Sequence, residues 1–241
     1  MKVSIYNNSG IRLPGFQCRS GQPIGLPIFF GDISAMRTNV YVDGFNLYYG
    51  AVKDTKSKWL NLQRYFELLR PHDDIQTVYY FTAEMSGSHH AHQMAYLRAL
   101  ATLPKVEIVF GKFKLKTITC GVKACDFSGE RLFKMPEEKR TDVHIALRMA
   151  RDCWEDACDC FVLVSGDSDL VPAVNLVKEI GPGKQVIVYI PARNPKRATA
   201  VELRAAADKA RILPNELIRK AQFQEKFPDG FGGFVCKPAH W

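Results

Sequence analysis

Four carboxylates stand out by residue type and by what precedes them: Asp43, Asp142, Asp167 and Asp169. Asp43 closes the run Val40-Tyr41-Val42 and is followed by Gly44. Asp167 and Asp169 follow the apolar run Cys160–Val164 and the break Ser165-Gly166. Asp142 falls in the first turn of a long helical pattern. Each acid alone has a plain structural explanation: a helix N-cap, a partner for the helix dipole, or turn chemistry before glycine. Gathered at one sheet edge they form an oxygen-only donor set, which suits a hard divalent cation such as Mg²⁺ or Mn²⁺. Carboxylates held that close repel unless a cation or a proton intervenes. A cation there also aligns a phosphodiester and lowers the pKa of an attacking water.

The chemistry depends on elements that bring the four together. Strand patterns at 38–42, 75–82 and 106–110 alternate with helical patterns at 47–52, 59–69 and 88–103. That alternation is the mark of a parallel sheet with right-handed crossovers. A helix over 141–156, a strand over 160–164, a helix over 170–179 with Pro172 tolerated in its first turn, and a strand over 186–190 continue it. A helix over 198–207, a short strand over 210–213 and a helix over 215–223 follow. The expected fold class is α/β: three layers, α/β/α, around a central parallel sheet of about five strands. In a doubly wound sheet the first and fourth strands are neighbours at the topological switch point, so Asp43 and Asp167 face each other across the crevice. Residues 117–137 read as an irregular insertion and 226–241 as a C-terminal tail, loosely packed from Phe231 to Trp241. Residues 1–37, punctuated by glycine and proline, read as a poorly ordered extension. Met36 is a candidate start for the natural chain; a natural N-terminal peptide from residues 1–35 would refute that.

Lys and Arg exceed Asp and Glu, 33 to 25, for a net charge of +8, so an anionic partner is expected, nucleic acid before membrane. Lys112, Lys114 and Lys116 alternate with apolar residues in an extended segment. They serve either as edge-strand protection or as a basic wall along a phosphodiester backbone. Arg193, Lys196 and Arg197 lie in a loop expected at a strand's carboxyl end, on the side of the acids, and join the lysines as candidate backbone contacts. No apolar run reaches the roughly 18 residues of a membrane helix. The seven cysteines form no framework, which fits reduced thiols and a cytoplasmic location. His89, His90 and His92 do not share a helix face and read as a solvated helix start. Asp152, Glu155, Asp156 and Asp159 read as a solvated acidic helix end. Neither a Walker loop nor a Gly-x-Ser-x-Gly turn is present.

Three segments in order, Val42-Asp43-Gly44-Phe45-Asn46-Leu47, Glu138-Lys139-Arg140-Thr141-Asp142-Val143 and Val164-Ser165-Gly166-Asp167-Ser168-Asp169-Leu170, resemble the NYN domain of the LabA-like group. That group is a branch of the PIN-like nuclease superfamily, and the match spans residues 38–225. The resemblance implies a PIN-like α/β/α fold and a Mg²⁺- or Mn²⁺-dependent ribonuclease. Asp43, Asp142, Asp167 and Asp169 would be its metal-binding and catalytic acids. It implies that Asn46 orients an acid or a phosphate and that Ser165 makes a secondary polar contact. Relatives often carry a paired-cysteine knuckle between the third strand and the acidic helix. Here Cys120 and Cys125 are separated by four residues and supply half of a tetrahedral zinc site, so a structural zinc is not expected. The expected partner is single-stranded RNA, with no membrane; a homo-oligomer or protein partner is left open. The rival reading keeps the fold as a non-catalytic RNA- or protein-binding regulatory module. An intact set of acids favours the enzyme, because a pure polyanion binder gains nothing from a negative pocket. A phosphatase of another α/β family would need a second acid two residues after Asp43, where Phe45 stands.

Overall fold

The sheet is built outward from its most apolar strands. The computed structural model describes residues 35–85, 87, 90–122, 126–193, 200–239 and 241. It divides into the units Met1–Ser34 and Ala35–Trp241, and the second carries everything below. Nearly all of the expected N-terminal extension lies outside the described residues. The first half comprises β1 (Met36–Asp43), α1 (Gly44–Leu47) running into a π-helical turn (Tyr48–Val52), α2 (Leu62–Leu69), β2 (Asp73–Thr82), α3 (His90–Ala101) and β3 (Val106–Phe110). A hairpin follows, β4 (Lys112–Thr119) with β5 (Leu132–Lys139). Then come α4 (Thr141–Trp154), β6 (Cys160–Val164), a 3-10 turn (Ser168–Leu170), α5 (Val171–Ile180), β7 (Gln185–Ile190), α6 (Val201–Ala206), β8 (Lys209–Ile212) and α7 (Asn215–Lys220). Two short strands, β9 (Lys226–Pro228) and β10 (Phe234–Cys236), close the chain.

The main sheet has six strands in the order β3-β2-β1-β6-β7-β8, every pair parallel. This is the doubly wound order, with its reversal between β1 and β6. The short strand expected near 210–213 is the sixth member. Pairing of Val42 with Val164 sets Asp43 beside Ser165 at the carboxyl edge.

Strand alternation explains why both faces are apolar. Val40, Val42, Val78, Tyr80, Val162 and Val164 face α2 and α3 through Tyr65, Phe66, Tyr96 and Leu100. Tyr41, Tyr79, Phe81, Phe161 and Leu163 face α4 and α5 through Ile145, Met149, Val174 and Val177. Three layers result. No helix among the described residues is long and apolar enough to cross a membrane.

Three expectations need correction. Residues 117–137 are not wholly irregular, since Leu132–Lys139 pairs antiparallel with Lys112–Thr119. The hairpin stands off the sheet, and with Leu115, Leu132, Phe133 and Met135 all exposed, no buried face left a hydrophobic alternation to read. The described residues from Phe231 on are not all loose: β10 pairs with β9, Val235 is buried, and the Trp241 ring lies 6.0 Å from that of Trp59. Asp152 is not solvated. It is 2% exposed and accepts hydrogen bonds from Asn39 Nδ2 (2.9 Å) and the Tyr41 hydroxyl (2.7 Å). Glu155 and Asp156 are exposed as expected, Asp159 is half-buried, and Asp156 and Asp159 pair with Arg37.

Candidate active site

Asp43 ends β1 and caps α1. Its Oδ1 accepts the backbone N–H groups of Phe45 (3.1 Å) and Asn46 (3.0 Å). Its Oδ2 accepts the Asn46 side-chain amide (2.6 Å) and the Ser165 hydroxyl (3.0 Å). The carboxyl is 2% exposed, and burial raises its pKa against the pull of those hydrogen bonds. Asp43, whose plain reading is turn chemistry before Gly44, is thus a helix cap as well as a site candidate. The turn after it is tight, because a Cβ on Gly44 would stand 2.6 Å from the Phe81 carbonyl oxygen.

Asn46 and Ser165 lock the two strand ends together. Asn46 Oδ1 accepts the Gly166 N–H (3.2 Å) while its amide holds Asp43. Ser165, fully buried, donates to Asp43 and accepts the Asp167 N–H (3.1 Å). Asp167 in turn caps the 3-10 turn, its Oδ1 accepting the Asp169 N–H (3.0 Å). Asp167 is part-buried and Asp169 exposed, so both remain open to a ligand at the edge.

The third contribution comes from the start of α4. Arg140 adopts a left-handed backbone, φ 81°, which turns the chain from β5 into the helix. Asp142, in the first helical turn, is pushed up to about 6, first by burial and then by Asp43, Asp167 and Asp169. Glu138, the penultimate residue of β5, is pushed up to about 7 by burial and by Asp43, Asp142 and Asp167. Its Oε1 and the Thr141 hydroxyl are buried without a hydrogen-bond partner among the described residues. Glu138 is the residue that sequence reasoning missed. It lay inside a motif but carried no role, because the strand that aims it was read as irregular chain. The signal available was its place four residues before Asp142.

The four predicted acids, Asn46 and Ser165 thus meet at one edge, with Glu138 added. The predicted basic contacts are arranged differently. Lys112, Lys114 and Lys116 pair with Lys139, Glu137 and Met135, so strand alternation sets them on the hairpin face opposite Phe113 and Glu138. Lys116 Nζ is 3.9 Å and Lys139 Nζ 3.0 Å from Glu137. Arg193 donates its N–H to the Gly50 carbonyl (2.9 Å) and reaches Asp54 at 3.9 Å. Lys196 and Arg197 lie outside the described residues, as does Cys125 of the cysteine pair; Cys120 is part-exposed.

The donors are right in type for a hard cation: carboxylate oxygens that repel one another, one of them orphaned. None of the five acids forms an ion pair among the described residues. Among those residues no three His, Cys, Asp or Glu side chains already converge at ligating distance. Closure around an ion therefore requires side-chain rotation.

The chain is similar to 6-hydroxy-3-succinoylpyridine 3-monooxygenase HspA of Pseudomonas putida (strain DSM 28022 / S16), with 27% identity over 207 residues. That match takes in 71% of this chain and 65% of HspA, just under two thirds of the relative's length. A solved structure of a protein of unknown function, VPA0982 from Vibrio parahaemolyticus RIMD 2210633, shares 18% identity at a TM-score of 0.49. It covers 76% of this chain and 95% of its own. The NYN domain family model matches residues 37–214, which takes in β1, the acidic edge and β8. With that span matched and the doubly wound sheet in place, the chain belongs to the NYN domain family, within the PIN-like superfamily.

Proposed function

We propose that the protein is a metal-dependent ribonuclease that hydrolyses phosphodiester bonds of single-stranded RNA. The observation that carries this reading is the gathering of Asp43, Glu138, Asp142, Asp167 and Asp169 at the switch point, with Asp142 pushed to about 6 and Glu138 to about 7. A fold that holds repelling acids together in this way is suited to a divalent cation. Family membership supplies the nuclease-like fold, and the net charge of +8 suits a polyanionic substrate.

Asp43, Asp142, Asp167 and Asp169 would hold Mg²⁺ or Mn²⁺, which supplies a water of lowered pKa and offsets charge on the phosphate. Asp43 is the fixed member, immobilised by its four hydrogen bonds. Asn46 and Ser165 are positioning residues that keep it aligned with Asp167. Glu138, poised near neutrality, takes up and releases a proton beside the scissile bond. Arg193 and the lysines of β4 are candidates for holding flanking phosphates.

The test is cleavage of labelled single-stranded RNA in Mg²⁺ or Mn²⁺, wild type beside Asp167→Asn. Cleavage by the wild type and its loss in the variant are expected. Equal behaviour of the two across several RNAs would sink catalysis; stoichiometric RNA binding without cutting would favour the regulatory module instead.

HspA favours a second reading, because its name makes it a monooxygenase of a hydroxylated pyridine. On that reading the fold would hold a small aromatic acid for oxygenation. Oxygen uptake with hydroxylated pyridines, unaffected by Asp167→Asn, would support it over the nuclease.

A further inference from the structure

Residues of α1, the helix that Asp43 caps, line a cavity of about 520 Å³, inside the roughly 300–1,000 Å³ typical of small-ligand sites. Six Phe, Tyr and Trp rings line it: Phe45, Tyr48, Tyr49, Tyr80, Tyr96 and Trp241. Not all of them are core. Tyr49 is 51% exposed, and Tyr48 and Trp241 are only part-buried. Several polar groups in the wall are already committed. The Tyr96 hydroxyl donates to the Leu60 carbonyl (2.9 Å), and Gln93 bonds the backbone of Met85 (2.6 Å) and Ala83 (2.9 Å). Asp54 lies 3.9 Å from Arg193. Lys53 and Lys58 form no ion pair among the described residues, and Lys53 Nζ sits 5.0 Å from the centre of the Tyr49 ring.

Phe45 joins the cavity to the acids. Its N–H holds Asp43 Oδ1 (3.1 Å), while its ring forms cavity wall and meets the Phe113 ring edge-on at 5.4 Å. Because Phe45 both holds Asp43 and walls the cavity, an RNA strand lying along the carboxyl edge would pass beside the cavity. Aromatic walls recognise the π-face that every base presents, and cations at the rim suit the phosphates between bases.

We propose that this cavity is a base-binding subsite: it receives the planar base of a nucleotide in single-stranded RNA whose neighbouring phosphate rests at the carboxylates, with Lys53 and Lys58 on an adjoining phosphate. The assignment rests on the nuclease reading, and two measurements on the full chain separate their fates. The first is calorimetric binding in EDTA of uridine and adenosine monophosphates, ribose 5-phosphate and nicotinate. The nucleotides are expected to bind at least about tenfold more tightly than ribose 5-phosphate. Tyr49→Ala and Lys58→Ala are each expected to weaken them about tenfold, and Tyr49→Phe to leave them unchanged. Tyr49 is half-exposed, so its loss spares the fold. The second is Mn²⁺-dependent cleavage of oligonucleotides with one abasic position moved along the chain. Turnover is expected to fall about tenfold at one fixed distance from the cut, and Tyr49→Ala to erase that difference. Equal binding of ribose 5-phosphate, tightest binding of nicotinate, indifference to Tyr49→Ala, or a flat abasic scan overturns the subsite. Ring-dependent nucleotide binding with no RNA cleavage sinks the nuclease reading and leaves the base site standing.

Discussion

Ser165 is a single hydroxyl that joins two strand ends, donating to Asp43 and accepting from the Asp167 amide. Ser165→Ala is expected to lower turnover about 10- to 100-fold, in the manner of groups that orient metal ligands. Mn²⁺ affinity should fall with it, which steady-state kinetics and calorimetry would measure. Glu138→Gln removes the group poised near neutrality and is expected to cost about 10²- to 10⁴-fold in kcat while the protein stays folded. Asp142 makes a different prediction, about stability. Its carboxyl titrates near 6 in the fold against 3.8 in the open chain. Between those values the native state holds more proton than the unfolded one, so the metal-free protein loses stability as pH rises from about 4 to about 6. Asp142→Asn, measured in EDTA at pH 7.5, should therefore be the more stable form. After allowance for partial exposure the gain is about 1 kcal/mol, or about 2–4 °C in Tm. Mn²⁺ should raise the Tm of wild type more than that of the variant.

These residues were unequally legible in the sequence. Asp43 directly follows an apolar run and precedes Gly44, and Asp167 and Asp169 come after an apolar run and the break Ser165-Gly166, so their position at strand ends could be read directly. The twin role of Asn46 could not, because its contact with Gly166 spans 120 positions in the chain.

At the scale of elements, the parallel strands were readable because burial on both faces leaves runs such as Cys160–Val164, all buried. The β4–β5 hairpin was hidden because its faces are exposed and Pro136 interrupts its second strand. The aim of Glu138, set by that strand, was hidden with it. Helix α4 was read to within two residues of its end but not in its attachment. Asp152, one turn from its end, is tied to Asn39 and Tyr41 of β1, with Arg148 at 3.8 Å. That tie fixes the axis along which Asp142 is presented. Asp152→Ala would leave the Asn39 amide donor buried and unpaired, and the Tyr41 hydroxyl with only the Cys158 sulfur, 4.0 Å away. It is expected to cost about 3 kcal/mol, read as a lower urea midpoint with an unchanged m-value. Asp156→Ala, at an exposed ion pair, should cost far less.

Taken whole, the molecule sets a negative notch in a surface of net charge +8. On the ribonuclease proposal, the positive background would draw an RNA strand in, and the notch would repel it until a cation intervened. RNA affinity should therefore fall linearly on a log–log plot against salt, with a slope that reports the number of phosphates engaged. Replacing Lys112, Lys114 and Lys116 together by alanine should lower that slope if RNA runs over the hairpin. An unchanged slope would assign the lysines to edge protection and leave Arg193 and the cavity rim as the backbone contacts. The most direct measurement is an anomalous-difference map from crystals soaked in Mn²⁺. A peak bounded by carboxylate oxygens of Asp43, Asp142 and Asp167 is the result expected. A map with no peak at that edge, at Mn²⁺ concentrations that support cleavage, would contradict the account.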